Sequence, residues 1–268
     1  MEQQIPIEEK NSFFRNDRKL VCSMFLIYGL CICGLVGAAI QGVRTVSTHA
    51  TSTAVVVATE QAKVTATAIA RRVEQAKYLY TDRFDNNRKD WYVGSEDDEY
   101  WVGHIAIQDG VYVWSAKEVK QGFVYWSEFP VSKTFHDFDV YVDTKVAQGA
   151  SGYLCGGLIF RETYDEDSEE NNYYYYSLCN DSTANISYHS GKDNWESIAS
   201  VPYHSSSKEW KRLEISARGS HFICSIDGNV VYEMEDDRQK TGWVALVVDI
   251  GDHGSGSILF DNFGYQPR

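Results

Sequence analysis

Residues Leu20 to Val43 form a stretch of 24 residues without a charge, directly after Arg15, Arg18 and Lys19. As a helix it would reach roughly 36 Å, enough to cross a hydrocarbon core of about 30 Å with some tilt. The stretch reads as an N-terminal membrane anchor, and everything after Arg44 lies on one side of it. Lys10, Arg15, Arg18 and Lys19 precede the span while Arg44 alone follows it closely, so the positive-inside bias places the N-terminus in the cytoplasm. The C-terminal part is then extracellular, on a single-pass plasma-membrane protein. A cleaved signal peptide is the rival reading, because Gly37, Ala38 and Ala39 offer a peptidase small residues, but the apolar run is longer than such peptides carry.

The segment 44–80 is rich in Ala, Thr and Val and reads as a helical stalk. Val55, Thr59, Ala62, Ala66, Ile69, Val73, Ala76 and Tyr80 follow alternating steps of four and three, a thin coiled-coil seam. Within the span, Gly34, Ala38 and Gly42 recur every fourth residue, which lets a neighbouring helix approach closely. Both point to a homo-oligomer through the transmembrane helix and stalk, although a Thr/Ala-rich spacer needs no partner. The organisation expected is therefore a cytoplasmic tail over 1–19, an anchor over 20–43, a stalk over 44–80 and one outer domain over 81–268.

The formal net charge is −13, and residues 1–19 balance four acids against four bases, so the excess belongs to the rest of the chain. Such a surface repels nucleic acid and anionic lipid. From Asp82 onward, short alternating runs rich in Tyr, Trp, Val and Ile are separated by Gly, Asn and Asp, which is strand chemistry. Strands are expected at 100–107, 110–117, 121–127, 136–146, 153–161, 172–180, 184–190, 195–199, 211–217, 220–227, 229–234, 242–249 and 256–265. Strands so many and so closely spaced make an all-β antiparallel sandwich or jelly roll.

One hairpin can be registered. If the acidic tip Asp165 to Glu169 is centred on Asp167, Cys155 faces Cys179, Leu158 faces Tyr176 and Phe160 faces Tyr174. Alternation then sends Leu154, Leu158, Phe160, Tyr174, Tyr176 and Leu178 to the core, and Cys155, Ile159, Arg161, Tyr173, Tyr175 and Cys179 to the other face. A Cys155–Cys179 disulfide follows, in keeping with an oxidising exterior. Cys224 has no obvious partner.

The phrases Asp82-Arg-Phe-Asp-Asn-Asn ahead of Trp91, Phe138-Asp-Val-Tyr-Val, Gly157-Leu-Ile-Phe-Arg161, Trp210-Lys-Arg-Leu-Glu-Ile, Gly219 to Gly228, and Ser257-Ile-Leu-Phe-Asp-Asn-Phe263 carry a resemblance. Together they resemble the concanavalin A-like lectin/glucanase superfamily, and within it LamG-like and 3-keto-disaccharide hydrolase-type domains. The resemblance implies two packed antiparallel sheets, a glycan site on a concave sheet, and calcium as the one cofactor in prospect. Asp261 and Asp85, near the two ends of the domain, are the candidate calcium ligands, Asp261 through the resemblance alone.

The Glu-x-Asp-x-Glu strand of laminarinase-type members, which sets a nucleophile and an acid on one face, is missing. In Glu96 to Tyr100, Tyr100 stands where the last Glu belongs, and Asp165 to Glu169 begins with Asp in an expected turn. The seven His are scattered, with no His-x-x-x-His or Cys-x-x-Cys spacing for zinc. Acidic residues gather instead at Glu96–Glu99, Asp165–Glu170, Glu233–Asp237 and Asp249–Asp252.

Sugars present apolar C–H faces, so a glycan site needs an exposed ring beside hydrogen-bonding groups. Arg161, Tyr173 and Tyr175 supply that combination on one hairpin face, with Trp126, Tyr188 and Trp195 as candidate neighbours, while Trp91, Trp101, Trp210 and Trp243 are assigned to the core. The sequence thus points to a membrane-anchored module binding a glycan or cell-surface ligand without catalysis. The alternatives are a glycoside-active enzyme of the 3-keto-disaccharide hydrolase type and a structural envelope or adhesion protein.

Overall fold

The computed structural model describes residues 59–60, 62–63, 65–66 and 77–268, apart from 121, 129–133, 148, 166–167, 169, 192–193 and 204–208. The chain divides into two compact units, residues 1–67 and 68–268. In the first, the six described residues are helical and Lys63 Nζ lies 3.0 Å from Glu60 Oε1. The expected span and most of the stalk lie outside the described residues; among those described, no helix is long and apolar enough to cross a membrane.

The second unit is two packed antiparallel sheets. One has nine strands, in the order β13 (Asn229–Glu235), β12 (His221–Ile226), β11 (Lys211–Arg218), β6 (Phe138–Val146), β15 (Gly256–Pro267), β4 (Val111–Val119), β3 (Trp101–Gln108) and β2 (Gly94–Asp97), with β1 (Tyr80–Asp82) also paired to β15. The other has six, in the order β10 (Asn194–Pro202), β9 (Thr183–Gly191), β8 (Glu170–Cys179), β7 (Leu154–Asp165), β14 (Trp243–Ile250) and β5 (Phe123–Glu128). Every expected strand is present with ends shifted by a few residues. β1 and β2 are additional: one is three residues long and the other, Gly-Ser-Glu-Asp, carries no apolar alternation.

The core lies between the sheets and is heavily aromatic. Phe84 stacks on Tyr112 at 5.4 Å, Trp91 packs on both, and Phe160, Tyr174 and Phe222 form a second nest. Asp82 fixes the first group, accepting hydrogen bonds from Phe84 N (2.8 Å) and Trp91 Nε1 (2.9 Å), so its burial leaves neither carboxylate oxygen bare. Trp91 and Trp101 are buried as expected, but Trp210 is not. It stands just before β11, outside the ladder, 38% exposed with Lys145 Nζ 5.9 Å from its ring, and Trp243 at the start of β14 is half-buried.

The β7–β8 hairpin has the expected register: Cys155 pairs with Cys179, Leu158 with Tyr176 and Phe160 with Tyr174. Cys155 and Cys179 are joined by a disulfide. Cys224 is free and buried, and burial pushes its thiol up to about 12, which leaves it inert. Because the bridge closes a loop with a sequence separation of 24, the double variant Cys155→Ala/Cys179→Ala is expected to lose about 2–4 kcal/mol in urea denaturation. An unchanged midpoint would show that the hairpin ladder alone holds the two strands.

Within this hairpin, Arg161 is on the other side from the one expected. The register slips between Phe160 and Thr163, and Arg161, with φ 54°, turns inward at this bulge. It is fully buried, donating from Nη1 to the carbonyls of Gly219 (2.6 Å) and Gln239 (2.7 Å) and from Nη2 to that of His136 (2.9 Å). Its guanidinium lies 4.6 Å from the centre of the Phe222 ring. Arg161 is therefore a clamp in the framework and belongs to no outward face.

Candidate functional site

Strand alternation decides which side chains of the six-stranded sheet face away from the core. The cross-strand register builds rows over that outer face: Tyr173, His189 and Trp195 in one, Ala245, Ile159, Tyr175, Ser187 and Ser197 in the next, and Val247, Gly157, Ser177, Asn185 and Ser200 in a third. Asp249 stands beside Cys155 in a fourth. Ile159, Tyr173, Tyr175, Ala245 and Val247 pack together as a small apolar floor, separate from the core between the sheets. Gly157 keeps its row hollow, and a Cβ there would come within 2.1 Å of the Tyr176 carbonyl oxygen.

Over this floor lies a cleft of about 900 Å³. Its aromatic end is Trp195, set over Tyr173 and His189; Tyr173 and Tyr175, expected as exposed rings, are buried in the floor, and of these side chains Trp195 is the exposed one. The His189 ring stacks on Tyr173 at 4.7 Å, and Trp195, 43% exposed, meets His189 at 4.7 Å, Tyr173 at 5.7 Å and Tyr175 at 6.0 Å, all edge-on. His189 Nδ1 is held 3.1 Å from the Asn171 carbonyl. The opposite end has Asp249, Asp252 and Tyr153, and hydroxyls and amides of Ser187, Ser197, Ser200 and Asn185 lie between. Asn185 is positioned from two sides, donating from Nδ2 to Tyr153 Oη at 3.0 Å and accepting from Ser200 Oγ at 2.8 Å.

Asp249 ends the otherwise apolar run Val244–Val248 and is drawn out of water by it. Desolvation raises its carboxyl from 3.8 to about 6, against the opposing hydrogen bond from Tyr175 Oη at 3.4 Å. Burial, reinforced by the Asp249 charge, raises the Tyr153 hydroxyl to about 12. Tyr175 is raised well above its usual value by burial first and by Asp249 second, so these tyrosines stay protonated and serve as donors. Asp252, on the turn after β14, accepts the Gly122 N–H.

Of the six ligand residues expected from sequence, Tyr173, Tyr175 and Trp195 meet in this cleft. Arg161 does not, for the reason given above. Tyr188 does not either: even-numbered positions of β9 face inward, and Tyr188 is buried against Tyr174 (5.0 Å) beneath the Arg238 guanidinium (4.1 Å). Trp126 pairs in β5 with Val247, and its side chain lies outside the described residues. Asn185, Ser187, His189 and Asp249 were not among the expected ligands. The signal for the first three is their alternation with Ala184, Ile186 and Tyr188, and for Asp249 a lone acid closing an apolar strand.

The two expected calcium ligands each have protein partners. Asp85 is on an exposed loop, 4.0 Å from Arg83 Nε, lining a smaller hollow of about 400 Å³ with His104 and Asp109. Asp261 accepts hydrogen bonds from Asn262 N (2.6 Å) and Asn262 Nδ2 (3.0 Å), beside an Asp143 held by Arg212 at 2.7 Å. Among the described residues, no three His, Cys, Asp or Glu side chains converge as a metal site.

A Bacillus subtilis protein of unknown function with a galectin-like fold superposes with a TM-score of 0.53 at 16% identity, over 71% of this chain and 96% of that one. SCLam, a non-specific endo-β-1,3(4)-glucanase of family GH16, gives 0.52 at 12% identity, over 72% and 91%. The carbohydrate-binding module CBM66 from Bacillus subtilis gives 0.43 at 18% identity, over 66% and 94%. No curated protein sequence matches the chain. The first two likenesses are of fold, a jelly-roll sandwich of the galectin and glucanase kind. One family profile, described as a 3-keto-alpha-glucoside-1,2-lyase-like domain, matches residues 80–264, and on that match the chain belongs to this family.

Proposed function

We propose that the domain binds carbohydrate in the cleft on the outer face of the six-stranded sheet, and that Leu20 to Val43 anchor it so that the cleft is presented outside the cell. The observation that carries the binding reading is Trp195: a large ring, 43% exposed, braced edge-on by Tyr173, Tyr175 and His189 and flanked by hydroxyl, amide and carboxyl groups. A sugar's C–H face would lie on the ring while its hydroxyls reach Asn185, Ser187 and Asp249. Membership of a family named for an activity on glucosides supports the same class of ligand.

The test is titration of the full chain with a broad panel of oligo- and polysaccharides. Trp195→Ala is expected to weaken the best ligand at least about tenfold, with little change in the unfolding midpoint because the ring contributes mainly to the cleft. A folded protein that binds nothing on the panel at millimolar concentration would sink the reading. For the anchor, the full chain should stay with the membrane fraction through alkaline carbonate extraction; release into the supernatant would remove that part alone.

A second reading, turnover of the bound sugar, is favoured by Asp249. A carboxyl raised to about 6 inside a cleft suits proton transfer near neutral pH, and eliminating across C1–C2 of a 3-keto-glucoside requires a base for the C2 proton. Incubation with 3-keto-glucosides separates the two readings: disappearance of substrate, lost in Asp249→Asn, marks turnover, whereas saturable binding without product marks a binding module.

A further inference from the structure

We propose that, among carbohydrates, the cleft selects sugars bearing a free amino group, which it holds at the Asp249 and Asp252 end, and turns away uronate and sulfated sugars. This rests on the carbohydrate reading of the cleft and adds the chemical class of the ligand.

Other sheltered aspartates of the sandwich have a cation or N–H donors beside them. Asp139 has Arg218 at 2.7 Å and Arg268 at 2.6 Å, Asp143 has Arg212 at 2.7 Å, and Asp236 has Arg238. Asp82, more deeply placed, takes two N–H donors. Asp249 has the Tyr175 hydroxyl at 3.4 Å and no cation among the described residues, although it is as sheltered as those that do. Asp252, whose carboxylate takes the Gly122 N–H, likewise has no cation there.

The described residues lining the cleft include these two carboxylates and neither lysine nor arginine. The neighbouring strand β5, Phe-Val-Tyr-Trp-Ser-Glu, brings no basic residue to that edge either. A desolvated carboxylate facing an open cleft is an incomplete ion pair. An ammonium group on a sugar whose ring lies against Trp195 supplies the missing charge and the missing donors together. A carboxylate or sulfate in the same place meets two like charges without a compensating base.

The experiment compares matched sugars on the full chain at pH 7, where both the ammonium and Asp249 are mostly charged. Suitable pairs are cellobiose with its fully deacetylated chitobiose counterpart, trehalose with trehalosamine, and galactose with galactosamine; polygalacturonate and dextran sulfate serve as acidic probes. Within the pair that binds best, the amino sugar is expected to be about tenfold tighter, with the ratio shrinking as salt is raised and the acidic polymers not bound. Asp249→Asn and Asp252→Asn, each checked for a native melting transition, should lower the amino-to-neutral ratio toward one. Neutral sugars binding as well as their amino partners, or a ratio unmoved in both variants, would overturn the proposal and leave the carbohydrate reading standing. Failure of every pair and of the wider panel would remove both.

Discussion

Replacing Arg161 with alanine is expected to destabilise the domain by about 3–5 kcal/mol, among the largest effects of any single substitution in it. The side chain is fully buried, and its Nη groups hold the carbonyls of His136, Gly219 and Gln239. These three belong to different connections: the approach to β6, the β11–β12 turn and the approach to β14. Truncation takes the guanidinium donors from three part-buried carbonyls, opens a cavity against Phe222, and removes what keeps residue 161 at φ 54°, where a non-glycine residue is strained by about 1 kcal/mol or more. Arg161→Lys keeps the charge opposite Asp137, 3.9 Å away, but a single ammonium on a different geometry serves those carbonyls poorly, so roughly half the loss is expected. Urea denaturation of the three proteins checks this. An alanine variant within about 1 kcal/mol of wild type would mean that water or a loop shift replaces the clamp.

Asp249→Asn is expected to act in the opposite direction and to do so only above acidic pH. The folded domain raises this carboxyl from 3.8 to about 6 through desolvation, so it holds the proton more tightly than the unfolded chain does. Below about pH 4 the group is protonated in both states and makes no difference. As the pH climbs the unfolded chain ionises first and stability falls; above about pH 6 both states are ionised, and the folded one carries a burden of about 2–3 kcal/mol. The groups that face Asp249, Tyr175, Tyr153 and Tyr173, are all raised and remain neutral across this window. Asparagine still accepts from Tyr175 but has no charge to desolvate. Denaturation at pH 7.5 should therefore show the variant more stable by about 2 kcal/mol, and denaturation at pH 4 should show the two alike. A variant less stable at pH 7.5 would show that the carboxylate is well solvated. A residue whose removal stabilises the fold while impairing ligand binding is one kept for function.

How much of this was legible beforehand depends on how far side-chain alternation runs unbroken. In the β7–β8 hairpin, two cysteines and alternating aliphatic and aromatic residues fix both register and face as far as Phe160, and the disulfide and the outward Tyr173 and Tyr175 follow from that alone. One residue further on, the bulge at Arg161 reverses the parity, and no local residue type announces it: the bulge is stabilised by carbonyls that are 25, 58 and 78 positions distant in the chain. Tyr188 is hard to place from sequence because an aromatic in a half-buried strand fits either face; its neighbours His189 and Ser187, polar and outward, hold the information. Asp249 looked like the beginning of an acidic loop because Asp252 follows closely, yet the ladder continues through Ile250 and makes it the last residue of a sheet face. β2 was invisible since an edge strand of Gly-Ser-Glu-Asp is held by backbone bonds to β3 and gives no hydrophobic period.

The pairing of β1 with β15 has a consequence for how such a domain travels between proteins. Tyr80 lies opposite Tyr265, and Leu79 N donates to Gln266 Oε1 at 2.8 Å, so the polypeptide enters and leaves the sandwich side by side. Both ends are on the nine-stranded sheet, whereas the cleft is on the six-stranded one. A unit built this way can be grafted into a surface loop of another protein, or have its ends joined and be reopened at a hairpin, without stretching a strand or crossing the binding face.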